Sequence, residues 1–597
     1  MVSIRLEPIG KVFKADDGNL LEILRQAGVS IRSDCGGKGI CGKCKIVIVE
    51  ANATFSEISE AERKNLTEEE IKSGYRLACQ TTISGKSATI FIPKESKAEV
   101  RKISDLYREA KIELKPAIRK FFVKLQKPTL ADNSPDYERL TRIFGEFEIP
   151  LELLRKLPKK LREADWEITA TFWKNTLIDI EKGKSEECYG LAVDIGSSKI
   201  VCHLVDINSG KTVAKGYEEN PQVAYGEDIV SRVTYASKSP ENLKKLQKAV
   251  VDAINGIIAK LCKDAKVEKE RIYEAMVVGN AVMHHLFFGI EPKYISVSPF
   301  TPAIRKGVSF SAKEIGLDIC KQGVVSSLPL IAGFVGADAV ANIAITGVHK
   351  EDKLSMVIDI GTNTEIILGN KDRLLACSTP SGPAFEGAHM AYGIKAVSGA
   401  IDSVRIVEGN VEYSTIDNEK PKGICGTGMI DLVAELYKNG FINRYGKFKE
   451  KESDRIIFSP TPRFVVARAE ETEFGKPITV SEKDINEFLL AKAAIKAGWM
   501  LLMRKMGIDE SKLEKIYLAG SFGRYINVEN AKLIGLLPNI PPEKIDYAGD
   551  TAVGGAKMAL LSLDVRDEME KVVQKVEYVE LSVEKDFHSV FIRAIPI

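Results

Sequence analysis

Apolar and polar side chains alternate in short runs over the first 95 residues. VSIRLEP and GKVFKAD come first, then KIVIVE and ATIFIP. That period of two predicts four short strands. LLEILRQAG, between the second and third runs, has helical spacing, with Asp17 or Asn19 placed to cap it and Gly28 to stop it. From 96 to 122 the pattern becomes charged and helical, KAEVRKISDLYREAKIELKPAIRKFF, and predicts a helical linker. Residues 123–186 keep a helical period through YERLTRIFGEF, PLELLRKLPKKLREA and WEITATFWKNTLIDIEK, broken at Pro128, Pro135 and Pro150. They read as a small α-rich middle domain, or as an extension of the core that follows. After Tyr189 the layout is apolar run, aspartate, glycine turn, apolar run, in GLAVDIGSSKIVCHLVD and again in LSMVIDIGTNTEIILGN. Repetition at that distance predicts two related lobes over 187–597. GFVGADAVANIAI, GICGTGMIDLVAEL and GDTAVGGAKMALLS are helices rich in small residues, and KIYLAGSFGRYI is a strand entering a glycine turn.

Composition narrows the function classes. The 597 residues are 28% charged, yet the net charge is only +2, which gives no basic face for nucleic acid. The most apolar stretch, LPLIAGFVGADAVANIAITGV, is interrupted by Asp338 and Asn342 and reads as buried rather than membrane-spanning. The start, MVSIRLEPIG, has no signal-peptide pattern. Cys188, Cys202, Cys262, Cys320, Cys377 and Cys425 are scattered without ligand spacing, as expected of core thiols in a reducing cytoplasm.

Four other cysteines are spaced as ligands. DCGGKGICGKCK places Cys35, Cys41 and Cys44 five and two residues apart, and Cys79 follows in GYRLACQTT. Zinc sites usually pair two C-x2-C knuckles, and only one is present. A [2Fe–2S] cluster needs backbone wrapped around inorganic sulfide, for which Gly36, Gly37, Gly39 and Gly42 give the conformational freedom. Structural zinc and inert thiols are the alternatives. Over residues 1–95 the pattern resembles plant-type [2Fe–2S] ferredoxins with a β-grasp sheet, departing in the first gap, which is five residues instead of four.

The aspartate–glycine turns carry the second chemistry. Each presents backbone N–H groups and hydroxyls suited to phosphate oxygens: Gly196, Ser197, Ser198 and Lys199 after Asp194, and Gly361, Thr362, Asn363 and Thr364 after Asp359. The carboxylate before each turn can hold Mg²⁺-bound water or orient an attacking water. One such turn is more often structural; two, each between strands, point to phosphate binding. LAGSFG adds Gly520, Ser521, Phe522 and Gly523, where a flat ligand can approach closely. Gly426, Thr427 and Gly428 open a helix that can offer further N–H groups. No Walker A motif and no G-x-G-x-x-G after a strand is present.

The three segments together resemble the actin, hsp70 and sugar-kinase superfamily of ATPases. That resemblance implies two ribonuclease-H-like lobes, ATP with Mg²⁺, and a catalytic polar side chain on the helix before the second phosphate turn. Asp338 is the candidate, with a merely hydrogen-bonded helix aspartate as the alternative, beside Asp194 and Asp359. The whole chain then resembles the reductive activators of corrinoid proteins, also through NPQVAYGEDIVSRV, SGPAFEGAHMAYG and DINEFLLAKAAIKAG. It implies a multi-domain α/β (α+β) protein: a ferredoxin-like domain over 1–95, a linker over 96–122, a middle domain over 123–186 and a two-lobed actin-like ATPase over 187–597. The implied activity is ATP-dependent one-electron reduction of a cobalt(II) corrinoid protein to cobalt(I), fed by a low-potential ferredoxin or reductase. Monomer and homodimer are both open. Ser381 is a candidate cobalt contact, or else part of a nucleotide loop or a plain turn. The rival functions are activation of a 2-hydroxyacyl-CoA dehydratase, a small-molecule kinase with a redox domain, and a redox partner whose ATPase half only switches binding.

Overall fold

The computed structural model describes residues 1–7, 11–27, 31, 33, 37–93, 96, 112–226, 228–387, 390–450, 453–459, 461–520 and 526–597. Alternation at the N-terminus folds as expected. Val2–Glu7 pairs antiparallel with Lys11–Ala15 and parallel with Thr82–Phe91, which in turn pairs antiparallel with Lys45–Phe55. Tyr75–Leu77 closes the edge beyond Lys45–Phe55. The inward positions Val2, Ile4, Leu6, Ile46, Ile83 and Ile90 form one core with Leu20, Leu21 and Leu24 of the helix Leu20–Gln26. Of the two candidate caps, Asn19 does the capping: its Oδ1 accepts from Leu21 N at 3.1 Å and Glu22 N at 3.4 Å.

The middle of the chain departs from expectation. Most of the predicted linker helix, 97–111, lies outside the described residues, and Ile118–Lys124 is a strand where a helix was expected through 122. The region to 186 is α+β rather than α-rich. Ile118–Lys124, Glu167–Trp173 and Thr176–Lys182 form an antiparallel sheet covered by the helices Asp136–Phe144, Leu151–Leu154 and Leu157–Glu163. Glu167–Trp173 is buried at five successive positions, so it lacks the alternation that marks a half-exposed strand. Its β-branched residues Ile168, Thr169 and Thr171 were the available signal. The unit has a core of its own around Leu140, Leu161 and Phe172, while Ile118 and Ile178 join the core of the next lobe.

Two lobes then repeat one topology. In the first, the antiparallel meander Tyr189–Ile195, Lys199–Asp206, Thr212–Glu219 is extended on its first strand by parallel Ile272–Gly279 and Val324–Ser327. In the second, the meander Ser355–Ile360, Thr364–Gly369, Leu374–Thr379 is extended by parallel Lys515–Ala519 and Ile545–Gly549. Each lobe therefore places its aspartate–glycine turn between the first and second meander strands. The helices Ala337–Thr346 and Thr551–Leu561 pack against each other between the sheets. Small residues permit that crossing: a Cβ added at Gly555 would lie 2.3 Å from the Ala341 carbonyl oxygen. The long helix Glu482–Met506 covers the other face of the second sheet.

Candidate functional site

The two turns meet across the cleft between the lobes. Gly196 N donates to Lys199 O at 2.9 Å and closes the first turn so tightly that a Cβ at Gly196 would lie 2.8 Å from that oxygen. Ser198 Oγ and Thr362 Oγ1, one from each turn, are 3.3 Å apart. Both hydroxyls donate to one carboxylate, Glu386, at 2.9 and 2.6 Å. Behind the first turn, Arg232 donates to Ser197 O at 2.6 Å, and Asn220 Nδ2 donates to Gly196 O at 2.8 Å. Asn280 Nδ2 donates to Ser197 Oγ at 3.2 Å, and Lys199 Nζ lies 4.4 Å from the centre of the Tyr217 ring. Burial pulls Arg232 down to about 10, opposed by the negative charges of Asp228 and Glu386.

Carboxylates crowd the floor of the cleft. Burial pushes Asp359 up to about 6 and Asp550 adds to the effect, while Asn342 Nδ2, donating to Oδ2 at 2.7 Å, opposes it. Asp338 is pushed up to about 7 by burial; the Ala339 N–H at 2.8 Å holds it down and Asp359 raises it. Asp194 is held well above the usual range by burial and then by Asp338, Asp359 and Asp550. Glu365, opposite Asp359 in the sheet register, is raised by burial and by Asp338 and Asp359. Like charges this close favour a proton or a cation among them. Asp194, Asp338 and Asp359, singled out in the sequence, thus converge. Asn342, Glu365, Glu386, Arg232 and Asp550 were not singled out. Asn342 stands four positions after Asp338 on one helix, a spacing that could have flagged it.

The other predicted residues are placed unequally. Gly520 adopts φ +77°, and a Cβ there would lie 2.7 Å from Asp359 Oδ1, so the glycine turn abuts the carboxylate. Ser521, Phe522 and Gly523 lie outside the described residues. Gly426 and Thr427 are buried at the start of the helix Gly426–Lys438; a Cβ at Gly428 would meet Ile401 O at 2.3 Å, so this glycine serves packing. Ser381 is 4% exposed, and its Oγ donates to Gly361 O at 3.0 Å and lies 2.8 Å from Thr364 Oγ1. It braces the second turn from inside.

The cysteine loop sits at one end of the first domain. Cys44 and Cys79 are buried and Cys41 half-buried; Cys35 lies outside the described residues. Ala78 N donates to Cys44 O at 2.9 Å, tying two of the thiol-bearing segments together. Gly39 and Gly42 adopt φ +73° and +67°. Asn65 Nδ2 clasps Gly39 O at 2.9 Å, and Gln80 Nε2 lies 3.6 Å from Cys79 Sγ. A loop turned by left-handed glycines at Gly39 and Gly42 and tied to the Cys79 segment fits an iron–sulfur cluster.

The first domain touches both lobes. Lys43, between Cys41 and Cys44, donates from Nζ to Gly387 O and Gly393 O, each at 2.7 Å. Arg25, on the helix of the same domain, donates to Ala224 O at 3.1 Å. Gly387 directly follows Glu386, and Ala224 lies four residues after Asn220, the residue that holds the first turn.

Residues 353–597 match the family described as the C-terminal domain of RACo, the ASKHA domain; 189–351 match the RACo middle region and 107–187 the RACo linker region. Residues 4–84 match the 2Fe-2S iron-sulfur cluster binding domain. The chain is similar to the corrinoid activation enzyme RamQ of Eubacterium limosum, 31% identical over 596 residues, with 95% of this chain and 94% of that one covered. It is also similar to the [Co(II) methylated amine-specific corrinoid protein] reductase of Methanosarcina barkeri, 24% identical, covering 68% and 76%. A solved reductive activator for corrinoid, iron-sulfur protein superposes with a TM-score of 0.75 at 35% identity, covering 100% of this chain and 98% of that one.

Proposed function

Since the chain belongs to the RACo family of reductive activators of corrinoid proteins, we propose that it uses ATP to return a corrinoid protein from cobalt(II) to cobalt(I). Cobalt(I) is a strong reductant, so the electron must move uphill. For one electron about 59 mV corresponds to roughly 1.4 kcal/mol. A nucleotide that turns a two-state equilibrium from 1:99 to 99:1 contributes about 5.5 kcal/mol, which is enough for a climb of a few hundred millivolts. A [2Fe–2S] cluster held by Cys35, Cys41, Cys44 and Cys79 supplies a one-electron carrier. The turns at Gly196–Lys199 and Gly361–Thr364 bind the ATP phosphates from opposite sides, and the segment from Gly520 to Gly523 receives the adenosine. Asp194 and Asp359 hold Mg²⁺ through its waters, and the Asp338 carboxylate orients the attacking water. A cytoplasmic site of action, a low-potential ferredoxin or reductase as electron donor, and self-association as a homodimer complete the reading.

The observation that carries this function is the 3.3 Å approach of the two turns at Ser198 and Thr362, on a chain that also ties the Cys44 and Cys79 segments together through the Ala78 N–H on Cys44 O. The test is anaerobic: reduced protein and cobalt(II) corrinoid protein are mixed with and without Mg–ATP, and the visible spectrum is followed. Cobalt(I) should form only with ATP. Equal yields without ATP would defeat the proposal.

A further inference from the structure

The Glu386 carboxylate occupies the place where a phosphate would meet the turns. It accepts one hydroxyl from each lobe, Ser198 at 2.9 Å and Thr362 at 2.6 Å, and its negative charge acts on Arg232 behind the first turn. An anion reaching both turns must take those hydroxyls from Glu386. The residue that follows is built into the docking of the cluster domain. Gly387 and Gly393 approach so closely that a Cβ at Gly393 would lie 2.3 Å from Gly387 O. That approach sets their carbonyls side by side as the double acceptor for Lys43. Gly393 is bridged to Ile424, the residue before the Cys425 cap of the helix Gly426–Lys438, so this half of the dock belongs to the second lobe. The other half, Arg25 on Ala224 O, belongs to the first lobe. The cluster domain therefore touches both lobes, with one cationic anchor on each.

We propose that Glu386 is a stand-in for the terminal phosphate of ATP, and that its displacement by ATP loosens the Lys43 anchor and releases the cluster domain from the cleft. This rests on the ATP-driven reading above and gives it a device. Without nucleotide the carboxylate latches the lobes and the cluster loop is docked. With ATP the γ-phosphate takes the two hydroxyls, Glu386 and the following turn shift, and the cluster loop is free to approach the corrinoid partner. ADP lacks the competing group and leaves the latch in place.

Two measurements on the full-length, cluster-loaded chain test it. The first is calorimetric binding of Mg–adenylyl imidodiphosphate and Mg–ADP to the wild type, to Glu386→Gln and to Glu386→Ala. Removing the competing charge should tighten the ATP analogue about tenfold relative to ADP, the scale of one charge-assisted hydrogen bond lost from the resting state. The second is the rate of amine acylation at Lys43, read by mass spectrometry against exposed Lys64 as internal reference. The analogue should raise the Lys43 rate about tenfold in the wild type, following the released fraction. In both variants the rate should already be high without nucleotide. An unchanged or reduced preference for the analogue in both variants would overturn the latch, because a merely structural or phosphate-binding Glu386 cannot favour ATP over ADP when removed. So would Lys43 acylation indifferent to nucleotide in a wild type that binds ATP and reduces cobalt. A wild type that binds neither nucleotide would defeat the underlying ATP reading as well.

Discussion

The proposed role of Asp338 turns on one proton. An acid raised to about 7 is protonated below that pH and carries a carboxylate above it. Orienting water requires the carboxylate, so kcat/KM for ATP should rise with pH and level off above about 7. Asp338→Asn should lose that limb and lower turnover about 10²–10⁴-fold, the range of general-base catalysis. Steady-state phosphate release across pH checks it, and an unaltered profile in the variant would remove Asp338 from the chemistry. At this scale the sequence was legible for residues embedded in a motif: Asp194, Asp359 and the turn glycines stand in two self-similar stretches. Glu386 and Arg232 were not, because nothing in their neighbours records that they reach the turns from elsewhere in the chain. The Ser381 hydroxyl was visible in its loop, but its bond to the Gly361 carbonyl was not.

Single elements of the first domain are held by a few polar side chains. Glu62 is fully buried in the helix Glu60–Asn65, where its carboxylate accepts from Arg76 Nε at 2.8 Å, Leu77 N at 3.0 Å and Ser59 N at 2.9 Å. It thereby fastens the helix that clasps the cysteine loop to the strand leading into Cys79. Burial alone would raise its pKa, but the Arg76 hydrogen bond and the Ser59 and Leu77 N–H groups bring it below 4.5. An acid lowered in the folded state stabilises above its unfolded value and loses that contribution as pH falls through the folded one. Glu62→Gln should therefore cost ~3 kcal/mol at neutral pH, by leaving Arg76 buried and unpaired. The loss should fade in acid, as read by thermal melts of the cluster absorbance between pH 3 and 7. Strand prediction succeeded here because one face of the sheet is wet and the sequence alternates. It failed for Glu167–Trp173 because both faces are covered, and period two disappears from a strand with no polar side to show.

In the whole molecule, one buried ion pair joins three parts of the chain. Glu274, fully buried on a central strand of the first lobe, accepts from Arg566 at 2.8 and 2.9 Å, from Ser326 Oγ at 2.7 Å and from Trp173 Nε1 at 3.0 Å. Arg566 follows the inter-lobe helix Thr551–Leu561, and Trp173 belongs to the small sheet preceding the lobes. Arg566→Met should destabilise by about 3–5 kcal/mol, because it strands a carboxylate without its cation. Denaturant melts of the wild type and variant measure this, and a loss under about 1 kcal/mol would mean water replaces the guanidinium. The sequence by itself determined which chemistries the chain carries: cysteine spacing, paired aspartate–glycine turns and the periods of its exposed-face elements are local, and local sterics and hydrogen bonding read them directly. Only the tertiary structure decided that Glu386 closes the two turns, that Lys43 and Arg25 carry the cluster domain across both lobes, and that Ser381 faces inward. Glu386 and Ser198 are 188 residues apart, and Lys43 and Gly393 are 350 apart, so packing of whole sheets decides those contacts. Ser381 and Thr362 meet their partners within 24 residues, but only because the second meander folds back on its own turn.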